Sequence, residues 1–134
     1  MQVIEATVGN PVDVRLRISV AATLFERIRG LLGRPSPKRG EGLLIRKCKT
    51  VHTIGMAYPI DVVYLDRDWC VVGVAHSVRP GCVRAPTPPR RSGVVQVLEL
   101  ADREAAWIGL MPGSRLRTTF GESSSANNDT WSRA

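Results

Sequence analysis

Aromatic side chains are scarce in this sequence: three Trp, two Tyr and two Phe among 134 residues. So few rings leave no material for the stacking platform that grips single-stranded nucleic acid, and they hand the filling of the core to aliphatic residues. Cysteine is sparse as well. Cys48, Cys70 and Cys82 are odd in number and lack any Cys-x-x-Cys pairing, which disfavours a disulfide framework or a zinc site and suits a reducing compartment. No stretch approaches the roughly 18 consecutive apolar residues of a membrane span, so no membrane partner is expected. The opening MQVIEATVGNPVDV has no basic segment leading into an apolar run, and the expected location is cytoplasmic. Acidic residues are the minority sign, 12 against 19 Lys and Arg, giving a formal net charge of +7. The arginines are nevertheless spread from Arg15 to Arg133, and only RPGCVRAPTPPRR (79–91) concentrates them, without a ring among them. This basic protein therefore reads as having a solvated cationic face. Nucleic-acid binding through Arg79, Arg84, Arg90 and Arg91 is the outlying alternative, with a steep salt dependence as its signature.

What is present describes one domain, large enough to bury roughly two-thirds of the surface of its unfolded chain. Residues 12–20 alternate without a fault, Val12, Val14, Leu16, Ile18 and Val20 against Asp13, Arg15, Arg17 and Ser19, as a half-buried strand does. Thr23 and Glu26 have capping-box spacing, and Leu24, Ile28 and Leu31 or Leu32 continue at helical intervals to Gly33, which predicts a short amphipathic helix. Gly30 inside it implies close packing or an early helix end. Further strands are expected at 43–45, through 48–56, at 60–65 and 69–75 around an Asp66-Arg67-Asp68 hairpin turn, at 94–100 and at 114–120. A second helix of one or two turns, capped by Asp102, falls near 102–109, followed by a type II turn at Met111-Pro112-Gly113. The polar end, 121–134, is expected to be a disordered tail behind a single domain of residues 1–120. These elements predict a mainly β fold, a compact antiparallel β-sandwich or partly closed, jelly-roll-like barrel with one or two short helices.

The chemistry concentrates in CKTVHTIGMAYPID (48–61). If 48–56 is a strand, Cys48, His52 and Met56 share a face, but four residues along a strand is about 13 Å, too far for side chains to meet on one ion. A shared metal, with His76 as a further ligand, would need a sharp bend, which Gly55 can supply near Met56 but not between Cys48 and His52. No metal and no cofactor is therefore expected, and a Cys48–His52 nucleophilic pair is disfavoured by the same distance. Two carboxylates are more informative. Asp61 and Glu99 lie inside strands that are otherwise apolar on both faces, so each is either held by backbone or arginine donors or stands at the edge of a pocket.

The segments RGLLGR, GEGLLI, VHTIGMAYPIDVVYLD, VVGVAHSVRPG and VLEL followed by GLMPGSRL resemble, in order and spacing from Val12 to Leu116, the bacterial and archaeal family called domain of unknown function 192. The resemblance implies a mainly β fold with the helix near 23–32 packed on it, and no established reaction. The motif residues it carries over are Gly30, Leu31, Gly42, Met56, Pro59, Asp61 and Glu99, with Cys48 and His52 in a Cys-x-x-x-His-Thr variant. Many relatives resemble exported proteins, a feature this sequence does not share. Relatives also have an ELPAG-type turn where this chain reads ELADREAAWIGL, so the turn glycine is missing. The reading that follows is a non-enzymatic ligand- or protein-binding module, with a shallow pocket formed by His52, Met56, Tyr58, Asp61 and Glu99 and a small molecule or a protein as partner. The enzyme alternative is a hydrolase or transferase with Asp61 or His52 as general base.

Overall fold

Alternation along the first two strands builds a hairpin with one wet face and one dry face. In the computed structural model, which describes residues 1–9, 13–21, 23, 26, 29–86 and 93–118, β1 (Gln2–Gly9) pairs antiparallel with β2 (Asp13–Ala21). Ile4, Ala6 and Val8 meet Leu16, Ile18 and Val20 on the buried side. β1 was not anticipated, because the exposed Val3 breaks its alternation. β2 then runs parallel to β3 (Glu41–Arg46), a departure from the all-antiparallel expectation. Parallel neighbours need a crossover of about a dozen residues or more, and residues 22–40 supply it.

β4 (Val51–His52) and β7 (Val83–Arg84) form a separate two-stranded ribbon. The main sheet continues through β5 (Ile60–Leu65), β6 (Val71–Val78) and β8 (Gln96–Ala101) to β9 (Arg117–Thr118), in the order β6-β5-β8-β3-β2-β1-β9. Residues 113–118 join its two edges. Val71 N–H donates to the Ser114 carbonyl and Leu116 N–H to the Trp69 carbonyl at the β6 edge, while Arg117–Thr118 pairs with β1 at the other. The sheet curls into a partly closed barrel, one of the two expected forms.

The two faces carry separate cores. Leu16, Ile18, Leu44, Val63, Leu65, Leu98, Leu100 and Leu116 fill the inside of the curl, each worth about 1.5–3 kcal/mol in burial. On the other face of β3, β5 and β8, Leu43, Ile45, Ile60, Val62, Tyr64 and Val97 are covered by Leu31, Val51 and Val78. The expected second helix is α1 (Glu104–Trp107), shorter than expected, and Asp102 does not cap it. Its carboxylate accepts instead from Ser77 Oγ at 2.6 Å. The predicted first helix shows its capping box: Glu26 N–H donates to Thr23 Oγ1, and Thr23 N–H to Glu26 Oε1, both at 3.1 Å. Gly30 N–H closes one helical turn on the Glu26 carbonyl, and Gly30 itself has φ +52°, so this turn ends three residues before Gly33. Leu24 and Ile28 of that prediction lie outside the described residues, as do Arg90, Arg91 and the predicted tail 121–134.

Candidate functional site

The 48–56 segment is not the straight strand expected from its β-branched residues. Only Val51–His52 is strand. Lys47 has φ +54°, and Met56 N–H closes a turn onto the Thr53 carbonyl at 3.1 Å, with Gly55 at φ +85°. Thr53, fully buried, ties the segment down: its hydroxyl donates to the Arg79 carbonyl at 2.6 Å and accepts from Cys82 N–H at 2.9 Å. The segment therefore wraps a cavity of about 50 Å³ instead of running past it, and Cys48, His52 and Met56 all line that cavity. The 13 Å spacing of an extended strand does not apply to a chain that bends at both ends of its two-residue strand.

Glu99 lines the same cavity. Strand parity puts it there: β8 points Leu98 and Leu100 into the curl and Val97 and Glu99 to the outer face, beside Val62 of β5. The side chain is 2% exposed, with its carboxyl turned to the cavity. Burial alone pushes its pKa from 4.5 up to about 7, because a charge withdrawn from water without a donor favours the neutral acid. The Cα of Gly30 lies against it, where a β-carbon would come 3.2 Å from Glu99 Oε1. The sequence hint that Gly30 packs closely and ends a helix is met on both counts. Leu31, Ile45 and Val51 complete an aliphatic wall, Arg29 contributes from the exposed side, and Cys48 Sγ donates to the Thr50 carbonyl at 3.1 Å.

The other expected pocket residues are placed apart from this cavity. Asp61 faces the opposite side of the sheet, paired in register with Leu100. It is 0% exposed, and its carboxylate accepts three backbone N–H groups: Ser77 at 2.9 Å, Arg103 at 3.1 Å and Ala105 at 2.9 Å. Asp61 thus caps α1 from a neighbouring strand, and the expected convergence of His52, Asp61 and Glu99 is corrected to His52 and Glu99. His76 Nδ1 lies 4.0 Å from Asp61 Oδ2, on that side as well, and so is no companion to Cys48. Tyr58 does not line the cavity but anchors the 31–35 segment beside it, its hydroxyl donating to the Arg34 carbonyl at 2.9 Å. Burial, and then the nearby Glu99, raise the Tyr58 pKa. Among the described residues no three of His, Cys, Asp and Glu are grouped to hold a metal ion. No described helix is long and apolar enough to cross a membrane.

The model of the family domain of unknown function 192, an uncharacterized ACR family, matches residues 4–118. The chain belongs to that family. Among solved structures it is similar to a candidate transcription regulator of Sinorhizobium meliloti 1021, with a TM-score of 0.77 and 18% identity over 87% of this chain and 94% of that one. It is also similar to a protein of unknown function from Novosphingobium aromaticivorans, with a TM-score of 0.76 and 22% identity over 87% and 86%. At these identities the likeness is one of fold. No curated protein matches the chain. In this member of the domain of unknown function 192 family the turn before α1 is built without glycine. Arg103 adopts φ +67°, the left-handed conformation, and its amide donates to Asp61. The amides of Arg103 and Ala105 cradle an anion that is the chain's own Asp61 carboxylate.

Proposed function

We propose that this domain is a binding module, and that the cavity floored by Glu99 and walled by Cys48, His52 and Met56 receives a hydrogen-bond donor from its ligand. One observation carries the reading: a carboxyl 2% exposed that opens onto a cavity and whose titration is shifted by burial, with no hydrogen-bond donor holding it down. Burial holds this acid above its ordinary range, and a ligand that supplies a donor in place of cavity water recovers part of that cost on binding. The test is a ligand-observed NMR screen of small donor-bearing fragments against the wild type and Glu99→Leu. Fragments that bind the wild type, shift resonances of residues 48–56 and lose binding in the variant are the expected result; a screen in which every hit survives the variant overturns it.

A second reading, acid–base catalysis, has its own support, because a buried carboxyl with a pKa near 7 sits where general acids and bases work. The candidate is then Glu99 and not Asp61, whose carboxylate is taken up by three backbone donors. A turnover that falls in Glu99→Gln with a pH profile breaking near 7 would favour catalysis over binding alone.

A further inference from the structure

Resting on the binding reading above, we infer that the occupant of the Glu99 cavity is a lysine side chain projecting from a protein partner, whose apolar surface seats on Leu32, Ile54 and Val83. Size comes first. A cavity of about 50 Å³ is far below the roughly 300–1,000 Å³ of small-molecule pockets, and matches about two waters at roughly 30 Å³ each. An ammonium and its last methylene fit such a space; a metabolite does not. The lining is graded in the same sense. A carboxyl forms the floor, and the aliphatic Leu31, Ile45 and Val51 with the Met56 thioether form a sleeve, the counterpart of a charged head on a hydrocarbon stem. Arg29, the cation in this lining, is exposed and its Nε is held by the Leu32 carbonyl at 3.1 Å, so its charge is screened by solvent.

The rim decides between a free amine and a side chain of a partner. Leu32 and Ile54 line the mouth while remaining 39% and 57% exposed, and Val83, 61% exposed, pairs directly with His52 across the β4–β7 ribbon. Methylammonium would leave this rim in water. A protein surface would cover it, with a buried polar anchor inside a water-excluding apolar ring, the arrangement of an interface hot spot.

Three probes test this on the full chain by following the Met56 methyl resonance: the blocked peptide Ac-Leu-Ala-Lys-Ala-Leu-NH2, its twin with norleucine for lysine, and methylammonium chloride. The lysine peptide is expected to bind at least about tenfold more tightly than either other probe, the scale of one charge-assisted hydrogen bond. Glu99→Gln should lose about the same factor while keeping a wild-type circular dichroism spectrum, and Ile54→Ser should weaken the peptide but not methylammonium. Equal binding of the norleucine twin, methylammonium as tight as the peptide, an unaffected Glu99→Gln, or no binding of the lysine peptide each overturns the inference. If the fragment screen still finds Glu99-dependent ligands, only the lysine partner falls; if it finds none, the binding reading falls with it.

Discussion

Replacing Glu99 by glutamine removes a buried ionisable group on the outer face whose protonation folding strongly changes, at nearly constant volume. In the unfolded chain the carboxyl titrates near its ordinary 4.5; in the folded protein burial holds it at about 7. The folded state therefore binds the proton more tightly, and the wild type loses stability as pH rises through the window between these values. At about 1.4 kcal/mol for each pH unit of displacement, the loss reaches about 3 kcal/mol above pH 7 and vanishes below 4.5. Glutamine carries no such term. Urea unfolding of both proteins at pH 5, 6, 7 and 8 should show Glu99→Gln close to the wild type at pH 5 and more stable by about 3 kcal/mol at pH 8. Every other titrating group is common to both proteins and cancels in the difference. A gap that stays constant from pH 5 to pH 8 would refute the placement of Glu99 in a donor-free site.

Asp61→Ala should destabilise by about 3 kcal/mol or more, because three backbone N–H groups lose their acceptor at once; thermal unfolding measures it, and a loss below about 1 kcal/mol would show that the cap is dispensable. Arg103→Gly should stabilise by about 1 kcal/mol, since an L-residue is removed from φ +67°; an unchanged or lower unfolding midpoint counts against that geometry. Gly30→Ala combines φ +52° with a 3.2 Å approach to Glu99 Oε1 and should cost about 1–2 kcal/mol. Tyr64→Phe deletes a buried hydroxyl that has no hydrogen-bond partner among the described residues and should stabilise by about 1 kcal/mol; denaturant midpoints decide both.

The regular parts of the fold were legible because their patterns repeat. The alternation of residues 13–20 places Leu16, Ile18 and Val20 inside, as found. The Asp66 hairpin turn is present, with Asp66 Oδ1 accepting from Asp68 and Cys70 N–H groups. The turn at Met111-Pro112-Gly113 has its Ser114 N–H to Met111 carbonyl bond and φ +95° at Gly113. Local steric rules suffice for such features. The bent 48–56 segment was not legible, because β-branched Thr50, Val51 and Thr53 favour extension while the bend depends on Thr53 reaching Arg79 and Cys82, more than 25 residues away. A propensity scale contains nothing of that contact.

The two carboxylates show where a one-dimensional reading stops. Asp61 and Glu99 look alike in sequence, each an acid within an apolar strand, and β5 and β8 are neighbours. Their register sets Asp61 opposite Leu100 and Val62 opposite Glu99, one residue out of step, and in a sheet one residue is the difference between faces. On the inner face three amides from the β6 end and the start of α1 converge on Asp61. On the outer face Glu99 opens onto a cavity lined by aliphatic carbon, the Cys48 and Met56 sulfurs, His52 and Arg29, with Gly30 against its carboxyl. The same residue chemistry thus yields a structural cap on one side and, on the other, a cavity-facing acid whose pKa burial raises to about 7. The three amide bonds to Asp61, together with the two cores, offset the cost of holding Glu99 out of water at neutral pH.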